Sequence, residues 1–433
     1  MTTAPHTAGR PATPTNSVSE PVIITVNGGS SSIKVSIAPA SAAAPQPHRF
    51  TGLLERIGTT SATLSVRTSG DGTPLVAKLP AATWADALAR IVDAVRTSIG
   101  SAPVVGIGHR IVHGGLSLVH HQAITPEVLD ELNAARSLDL AHLPRQIALI
   151  DGFAAAFPGV PQVACLDTAF HRDMPRVAQL LPIPRRYFRD GLRRFGFHGL
   201  SYTFLMKQLA ETAGAEVADG RVILAHLGSG ASMAAVHRGK PIDTTMSFTP
   251  MSGLVMGTRP GNIDPGLLIY LLTIGKLSIS EIDDMLSTQC GLLGVSETSA
   301  DMRDLLATRL TDTRAAEAVD LFCIEARKHL CALAGTLGGI DTLIFSGGIG
   351  EHCPEVRANI CDGLAFLGVR LDPAKNFAIS RTEQGIISAD DGGPPLSRAP
   401  VTIRVIPTDE ESVIADVVRG IVRGGDTASQ LMA

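Results

Sequence analysis

Apolar and polar positions follow two different periods along this chain, and each change of period marks an element. Residues 22–37 read VIITVNGGSSSIKVSI: an apolar β-branched run from Val22 to Val26, a polar break over Asn27-Gly28-Gly29-Ser30-Ser31-Ser32, then an alternating run ending Ile33, Lys34, Val35, Ser36 and Ile37. That pattern predicts strand, tight turn and strand. Runs at Phe50–Leu54, Thr63–Val66 and Leu75–Leu79 predict further strands of one sheet. From Trp84 to Ile99 the period lengthens, with Trp84, Leu88, Ile91, Val92 and Val95 at helical spacing. A short buried strand is expected at Val104–Ile107, opening into GHRIVHGG. Helices follow near Pro126–Arg136 and Arg145–Ala156, then a strand at Gln162–Leu166.

The pattern then restarts. Residues 222–236, VILAHLGSGASMAAV, repeat an apolar run, a turn over His226-Leu227-Gly228-Ser229-Gly230 and a second apolar run. Helices are expected around Pro265–Ile274, Ser278–Leu286 and Ala315–Leu337, strands at Thr342–Phe345 and Thr402–Ile406, a surface loop over Ser388–Pro400 and a closing helix near Glu411–Val422. A β-β-β-α-β-α-β order is that of a ribonuclease H-like domain, and its return in the second half predicts an α/β fold made of two such units. A third glycine turn, Ser346-Gly347-Gly348-Ile349-Gly350-Glu351, follows the strand at Leu343–Phe345.

Each turn brings chemistry as well as shape. Two glycines let backbone N–H groups approach an anion, the serine hydroxyls add donors, and Lys34 supplies a positive charge. The G-x-x-x-x-G-K-[ST] spacing of a Walker A loop is missing. Taken alone, residues 27–34 read equally as an ordinary hairpin turn. The echo at His226–Gly230 favours paired phosphate loops facing a shared cleft.

Composition narrows the class. A chain of 433 residues with 45% apolar content is long enough for two cores. A formal charge of −4 without a basic stripe argues against nucleic acid as a partner. No apolar run reaches the roughly 18 residues of a membrane span. Six cysteines form no CxxC pair, and with no apolar signal segment they are expected as reduced thiols of a cytoplasmic protein. Residues 1–20, rich in Thr, Pro, Ala and Ser, are expected to be a disordered tail without the arginine pattern of a transit peptide.

Polar clusters sit where the predicted strands end. Arg110, beside glycines, suits a bidentate clamp on a carboxylate or phosphate; a surface arginine is the alternative. Asp167 ends another strand and reads either as facing a magnesium ion or as a helix N-cap. His198 lies between an aromatic and a glycine, where a lone histidine is often structural. Arg259 stands in a Gly/Pro-rich loop. Asp409-Glu410-Glu411 is either a hard-oxygen magnesium site or an acidic first helical turn. Together these parts fit phosphoryl transfer, which needs positioning and charge neutralisation.

With NGGSSSIK, GHRIVHGG, LDTAFH, FGFHG, HLGSG, FTPMSGLVMGTRPGNIDP, GGIGE and PTDEE in this order, the chain resembles the acetokinase family of the sugar kinase/Hsp70/actin superfamily from about Val22 to about Val418. The resemblance implies duplicated actin-like ATPase domains with the active site between them, bounded at 21–167 with a closing helix 411–425, and at 168–410. It also implies ATP + acetate ⇌ ADP + acetyl phosphate, with Mg²⁺ (or Mn²⁺), in a homodimer. By the same resemblance Asn27 and Glu410 hold the metal, and Lys34 meets the nucleotide phosphates with Ser30 and Ser32 as secondary contacts. Arg110 takes the substrate carboxylate, while Val112, Leu143, Phe197 and Pro250 pocket its methyl group. Asp167, His198 and Arg259 are catalytic. His226, Leu227, Gly228, Ser229 and Gly230, then Asp301, Met302 and Arg303, then Gly348, Ile349, Gly350, Glu351 and His352, bind nucleotide.

Four positions depart from that family's pattern. A PLHNP-like segment is replaced by His142-Leu143-Pro144-Arg145-Gln146, the asparagine of HLGNG by Ser229, the last histidine of FHGTSH by Tyr202 and the asparagine of GIGEN by His352. These bear on acyl specificity and nucleotide affinity. Val112 closes the pocket and favours acetate, with a propionate kinase as the nearest alternative. A chaperone- or sugar-kinase-type ATPase shares the loops but lacks a use for the arginines of GHR and GTR. A silent nucleotide-binding regulator has no use for the intact polar set.

Overall fold

The computed structural model describes residues 20–29, 32–41, 48–68, 74–79, 82–139, 142–379, 383–390 and 400–424. The expected tail (1–19), Ser30 and most of the 388–400 loop lie outside them. In the first half the strands are β1 (Val22–Gly28), β2 (Ile33–Pro39), β3 (Phe50–Glu55), β4 (Thr63–Thr68), β5 (Leu75–Lys78), β6 (Val104–Ile111), β7 (Gln122–Ala123) and β8 (Gln162–Leu166). They form one sheet in the order β5-β4-β3-β2-β1-β6-β8-β7. The second half contributes β9 (Arg221–Leu227), β10 (Ala231–His237), β11 (Lys240–Thr244), β12 (Thr342–Ser346), β13 (Gly385–Ile386) and β14 (Thr402–Val405), ordered β11-β10-β9-β12-β14-β13.

The two sheets share one plan. In each, the first three strands form an antiparallel meander, β3-β2-β1 or β11-β10-β9. Two more strands then add in parallel on the far side of the first, β6 and β8 or β12 and β14. This is the duplicated ribonuclease H-like α/β architecture. The two glycine turns that echo each other in sequence, β1–β2 and β9–β10, therefore occupy equivalent corners.

Helix Trp84–Ile99 starts at a capping box between Thr83 and Asp86 and buries Ala87, Ile91, Val92 and Val95 on the first sheet. The closing helix, Glu410–Val422, packs on that same sheet, although it follows the second sheet in the chain. Its Val413, Ile414, Val417 and Val418 share a core with Ile23, Val163, Cys165 and Leu200. Close approach is possible because β6 carries glycine there: a Cβ at Gly108 would lie 2.3 Å from Ile414 Cγ2, and one at Gly106 2.6 Å from Val418 Cγ1. The helix start, with Glu410 and Glu411, is thereby brought to the β1–β2 corner.

Some elements differ from the pattern reading. Strand β6 runs on through Gly108, His109, Arg110 and Ile111, all paired to β8. A polar pair hid this extension: His109 is buried with its Nε2 2.5 Å from Gln162 Oε1. The third glycine stretch is no turn but a helix, Gly347–His352, entered with Gly347 at φ 74°. Helix Gly199–Ala213 and strand β11 were not expected. Among the described residues, no helix is long and apolar enough to cross a membrane.

Four enclosed histidines give the fold an acid weakness. Burial pushes the imidazoles of His109, His113, His121 and His171 down to about 4. Between their unfolded value near 6.5 and about 4, the unfolded chain binds more protons than the native one, so stability rises with pH there. Each tenfold weakening of proton binding in the native state is worth about 1.4 kcal/mol per histidine. Denaturation midpoints should thus be flat above neutrality and fall steeply from about pH 6.5 to 4. A midpoint unchanged across that window would contradict the assignment.

Candidate active site

A cavity of about 1010 Å³ opens between the sheets and is lined from both. From the first come Asn27 and Lys34 at the β1–β2 corner, Arg110 at the end of β6, Val112 just beyond it, and Asp167 just after β8. From the second come Phe197 and His198 before helix Gly199–Ala213, His226, Gly228, Ser229 and Gly230 at the β9–β10 corner, and Pro250 and Arg259. Asp301, Met302, Arg303, Gly348, Ile349 and His352 complete that side. Glu410 reaches the cavity from the closing helix.

Four expected residues are not among the lining. Leu143 is fully buried and packs with Ile111, Ile147 and Leu166, so it stands in the core behind the pocket. Leu227 and Gly350 are buried too. Glu351 turns inward: its Oε1 accepts from Gly347 N–H at 2.8 Å and Thr408 N–H at 3.1 Å. It ties the helix start to the chain after β14. Sequence reasoning also missed contributors. His142 lines the cavity and pairs with Asp139 at 2.9 Å. Glu411 holds Lys34 Nζ at 2.6 Å; only its place beside Glu410 hinted at that.

The first-sheet side is a closed charge network. Asp167 Oδ2 accepts from Arg110 Nε at 3.0 Å and from Nη2 at 2.6 Å. Arg110 Nη1 donates to Asn27 Oδ1 at 3.1 Å and lies 3.5 Å from Glu410 Oε2. Asn27 Nδ2 donates in turn to Glu410 Oε2 at 2.9 Å. Burial works against the Arg110 charge, but Asp167 and Glu410 outweigh it and hold its pKa above the ordinary arginine value. Burial pushes the Asp167 carboxyl up, with Arg110 pulling the other way. Its second oxygen, Oδ1, is buried without a hydrogen bond of ordinary geometry among the described residues.

The second-sheet side is poorer in anions. Arg259 donates from Nη1 to the Pro250 carbonyl at 2.6 Å and makes no ion pair among the described residues. Burial lowers its pKa to about 10, which leaves it charged at neutrality. His198 stacks on His226, ring centres 4.3 Å apart. Burial, then His226, Arg110 and Arg259, hold the His198 imidazole well below its usual range. It is neutral in this cleft.

Carboxylate oxygens, Asp167 Oδ1 among them, are donors suited to a hard divalent cation. No cluster of three or more His, Cys, Asp or Glu among the described residues forms a closed cage. A magnesium-type ion keeps waters and shares its shell with phosphate, so one or two carboxylates suffice.

The duplicated strand order and the cleft between the sheets define the class: the fold of the actin-like ATPases. The acetokinase family pattern matches residues 22–416, and the chain belongs to that family. It is 41% identical over 406 residues to an acetate kinase of Rhodopseudomonas palustris, covering 93% of this chain and 99% of that one. Among solved structures, a propionate kinase from Francisella tularensis superposes with a TM-score of 0.81 at 33% identity, over 92% of this chain and 99% of the other. Porphyromonas gingivalis acetate kinase gives 0.79 at 30% identity, over 93% and 99%.

Proposed function

We propose that the protein transfers the γ-phosphoryl group of ATP directly to acetate, forming ADP and acetyl phosphate, and catalyses the reverse reaction along the same path. The observation that carries this reading is Arg259: a charged guanidinium at the cavity wall, beside a neutral His198 donor, with no carboxylate of its own among the described residues. An anion brought into the cavity is its natural partner. Acetate, with a pKa near the carboxylate value of about 4.3, is already ionised at pH 7 and needs no general base. The difficulty lies in bringing two anions together, which is what Arg110, Arg259 and a metal offset.

In this reading Arg110 receives the substrate carboxylate, and Val112, Phe197 and Pro250 enclose its methyl group. Lys34, His226–Gly230, Asp301–Arg303 and Gly348–His352 hold the nucleotide, with Leu227, Gly350 and Glu351 shaping rather than touching it. Asp167, Asn27 and Glu410 would hold Mg²⁺ or Mn²⁺. When bound, that ion supplies charge neutralisation at the β- and γ-phosphate oxygens.

A hydroxamate assay with acetate, propionate and butyrate tests the proposal. The expected order is acetate first, since Val112 narrows the pocket. Propionate first would favour the second reading, supported by the Francisella likeness; no acyl phosphate from any of the three would refute both.

We also assign the enzyme to the cytoplasm, where its six free cysteines stay reduced, and divide it at 21–167 plus the closing helix and 168–410. A homodimer is supported by helix Pro265–Thr273, in which no residue is fully buried. It leaves Leu267, Ile269, Tyr270 and Leu272 exposed beside Ile274 and Ile279, an apolar patch of the kind that marks interfaces. Light scattering on the intact protein should give twice the chain mass; a monomer at micromolar concentration would refute the dimer.

A further inference from the structure

We propose that Tyr202 and Ser232 are positioning residues that hold His198 as its Nε2–H tautomer, so that a neutral imidazole donates one hydrogen bond into the cleft. The inference rests on the part given above to His198 in transfer and adds what orients it.

Three buried side chains from two elements form the relay. Ser232 Oγ, on β10, lies 2.8 Å from His198 Nδ1 and 2.5 Å from the Tyr202 phenol oxygen. Tyr202 stands one helical turn after His198 and donates its own N–H to the His198 carbonyl at 3.0 Å. His198 is held at φ 57° at the helix entry, which turns its ring out of the helical path. Strained backbone of that kind persists where surrounding contacts over-determine it.

The direction of the relay follows from counting protons. A phenol has one hydrogen to give, and Ser232 is the hydrogen-bond partner the described residues offer it. Were the chain to run from His198 Nδ1–H through Ser232 to Tyr202, the phenol hydrogen would be buried without an acceptor, at a cost of roughly 1–3 kcal/mol. Run from Tyr202 through Ser232 to His198, every donor is used. Nδ1 then accepts, and the single proton of a neutral imidazole sits on Nε2.

That nitrogen faces the place where a second donor waits. A Cβ built at Gly230 would stand 3.4 Å from His198 Nε2 and 2.7 Å from Arg259 Nη2. The two donors therefore converge beside the β9–β10 turn, in space that only glycine leaves open. The charged and titratable groups facing His198 are His226, Arg110, Arg259 and His171, and each disfavours an imidazolium. Burial keeps the Tyr202 phenol protonated against the pull of its bond to Ser232, and the Asp167 charge adds a smaller push the same way as burial. A histidine in place of Tyr202, as the acetokinase pattern has it, could turn either a donor or an acceptor nitrogen toward Ser232; a phenol without another acceptor keeps the relay pointing one way.

The test is long-range ¹H–¹⁵N correlation on the intact enzyme labelled at histidine nitrogens, with His198 assigned by its absence in His198→Gln. The expected signature is an unprotonated Nδ1 and a protonated Nε2 throughout about pH 6–8, the range in which a free histidine titrates. A protonated Nδ1, or an imidazolium, overturns the proposal. In kinetics, Ser232→Ala and Tyr202→Phe should lower kcat roughly 10-fold to 100-fold, below the ~10²–10³ lost with a whole transition-state donor. KM for acetate and ATP should stay within about twofold, because the donor acts on the transition state. Ser232→Thr, which keeps the hydroxyl, should restore kcat. Folded variants with undiminished kcat would overturn the role, and if they do not fold the spectrum of the unaltered enzyme decides. Undiminished kcat in His198→Gln would instead remove the transfer role of His198 on which the proposal rests, and would leave the acyl kinase assignment standing.

Discussion

Arg259→Ala is expected to lose roughly 10³–10⁵-fold in kcat for acyl phosphate formation, the range that follows loss of an arginine acting on a transferring phosphoryl group. The structure makes this test unusually clean. Arg259 has no ion pair among the described residues, so its removal leaves no directly paired carboxylate behind, though Asp139 acts on it from further off. The side-chain bond it gives among those residues is to the Pro250 carbonyl. Thermal stability should therefore hold or rise slightly while turnover collapses. Arg259→Lys should not rescue, since an ammonium cannot keep the Pro250 bond and also present a second planar N–H to the cavity. A loss below tenfold, measured by the hydroxamate assay with saturating ATP and metal, would rule Arg259 out of the transition state.

Asp167→Asn is expected to fail in a different way. Its Oδ2 accepts two bonds from Arg110, and its Oδ1, without a hydrogen bond of ordinary geometry among the described residues, is the oxygen we offer to a cation. Because the acceptor is ionised already, we predict that Asp167 serves the metal and its waters and moves no proton. Turnover and apparent affinity for Mg²⁺ should then fall together. Lost turnover at unchanged metal affinity would speak for proton transfer after all. Unlike Arg259, this residue is structurally costly to change. Breaking a buried ion pair typically costs about 3–5 kcal/mol, and here Glu410, 3.5 Å from Arg110, compensates only in part. Denaturation curves should accompany the titration, so that loss of fold is not scored as loss of chemistry.

Much of this was legible in the sequence because the two hairpins state it twice. The runs at Val22–Ile37 and Val222–Val236 carry local signals, apolar strands broken by glycine and serine, and they folded as β1–β2 and β9–β10. Strand Gln162–Leu166 is fully buried apart from its first residue, and its apolar run marked both ends correctly. Where burial depends on a partner far along the chain, the pattern went silent. His109 reads as a loop residue until Gln162 is set beside it. The family resemblance assigns Leu143 to the pocket, yet the helix Leu143–Ala156 presents it to Ile147 and Leu166. The glycines of Gly347–Gly350 signal a turn by composition, but the strand before them is followed by a crossover, and they become the entry of a helix. The pairing of Lys34 with Glu411 spans almost the whole chain, and no local periodicity records it.

That pairing also sets an order of events during synthesis. Lys34 of the β1–β2 corner leaves the ribosome 377 residues ahead of the Glu411 that pairs with it. Until Glu410 and Glu411 arrive, Arg110 lacks one of its two carboxylates, Lys34 lacks its counter-ion, and the apolar face of β1 and β6 has no cover. A nascent chain halted before that helix holds most of the fold but keeps Asp167 as the carboxylate on Arg110, without Glu410 and Glu411. The cleft thus gains its last carboxylates only when that helix docks, and the Lys34–Glu411 seam joins segments made far apart in time.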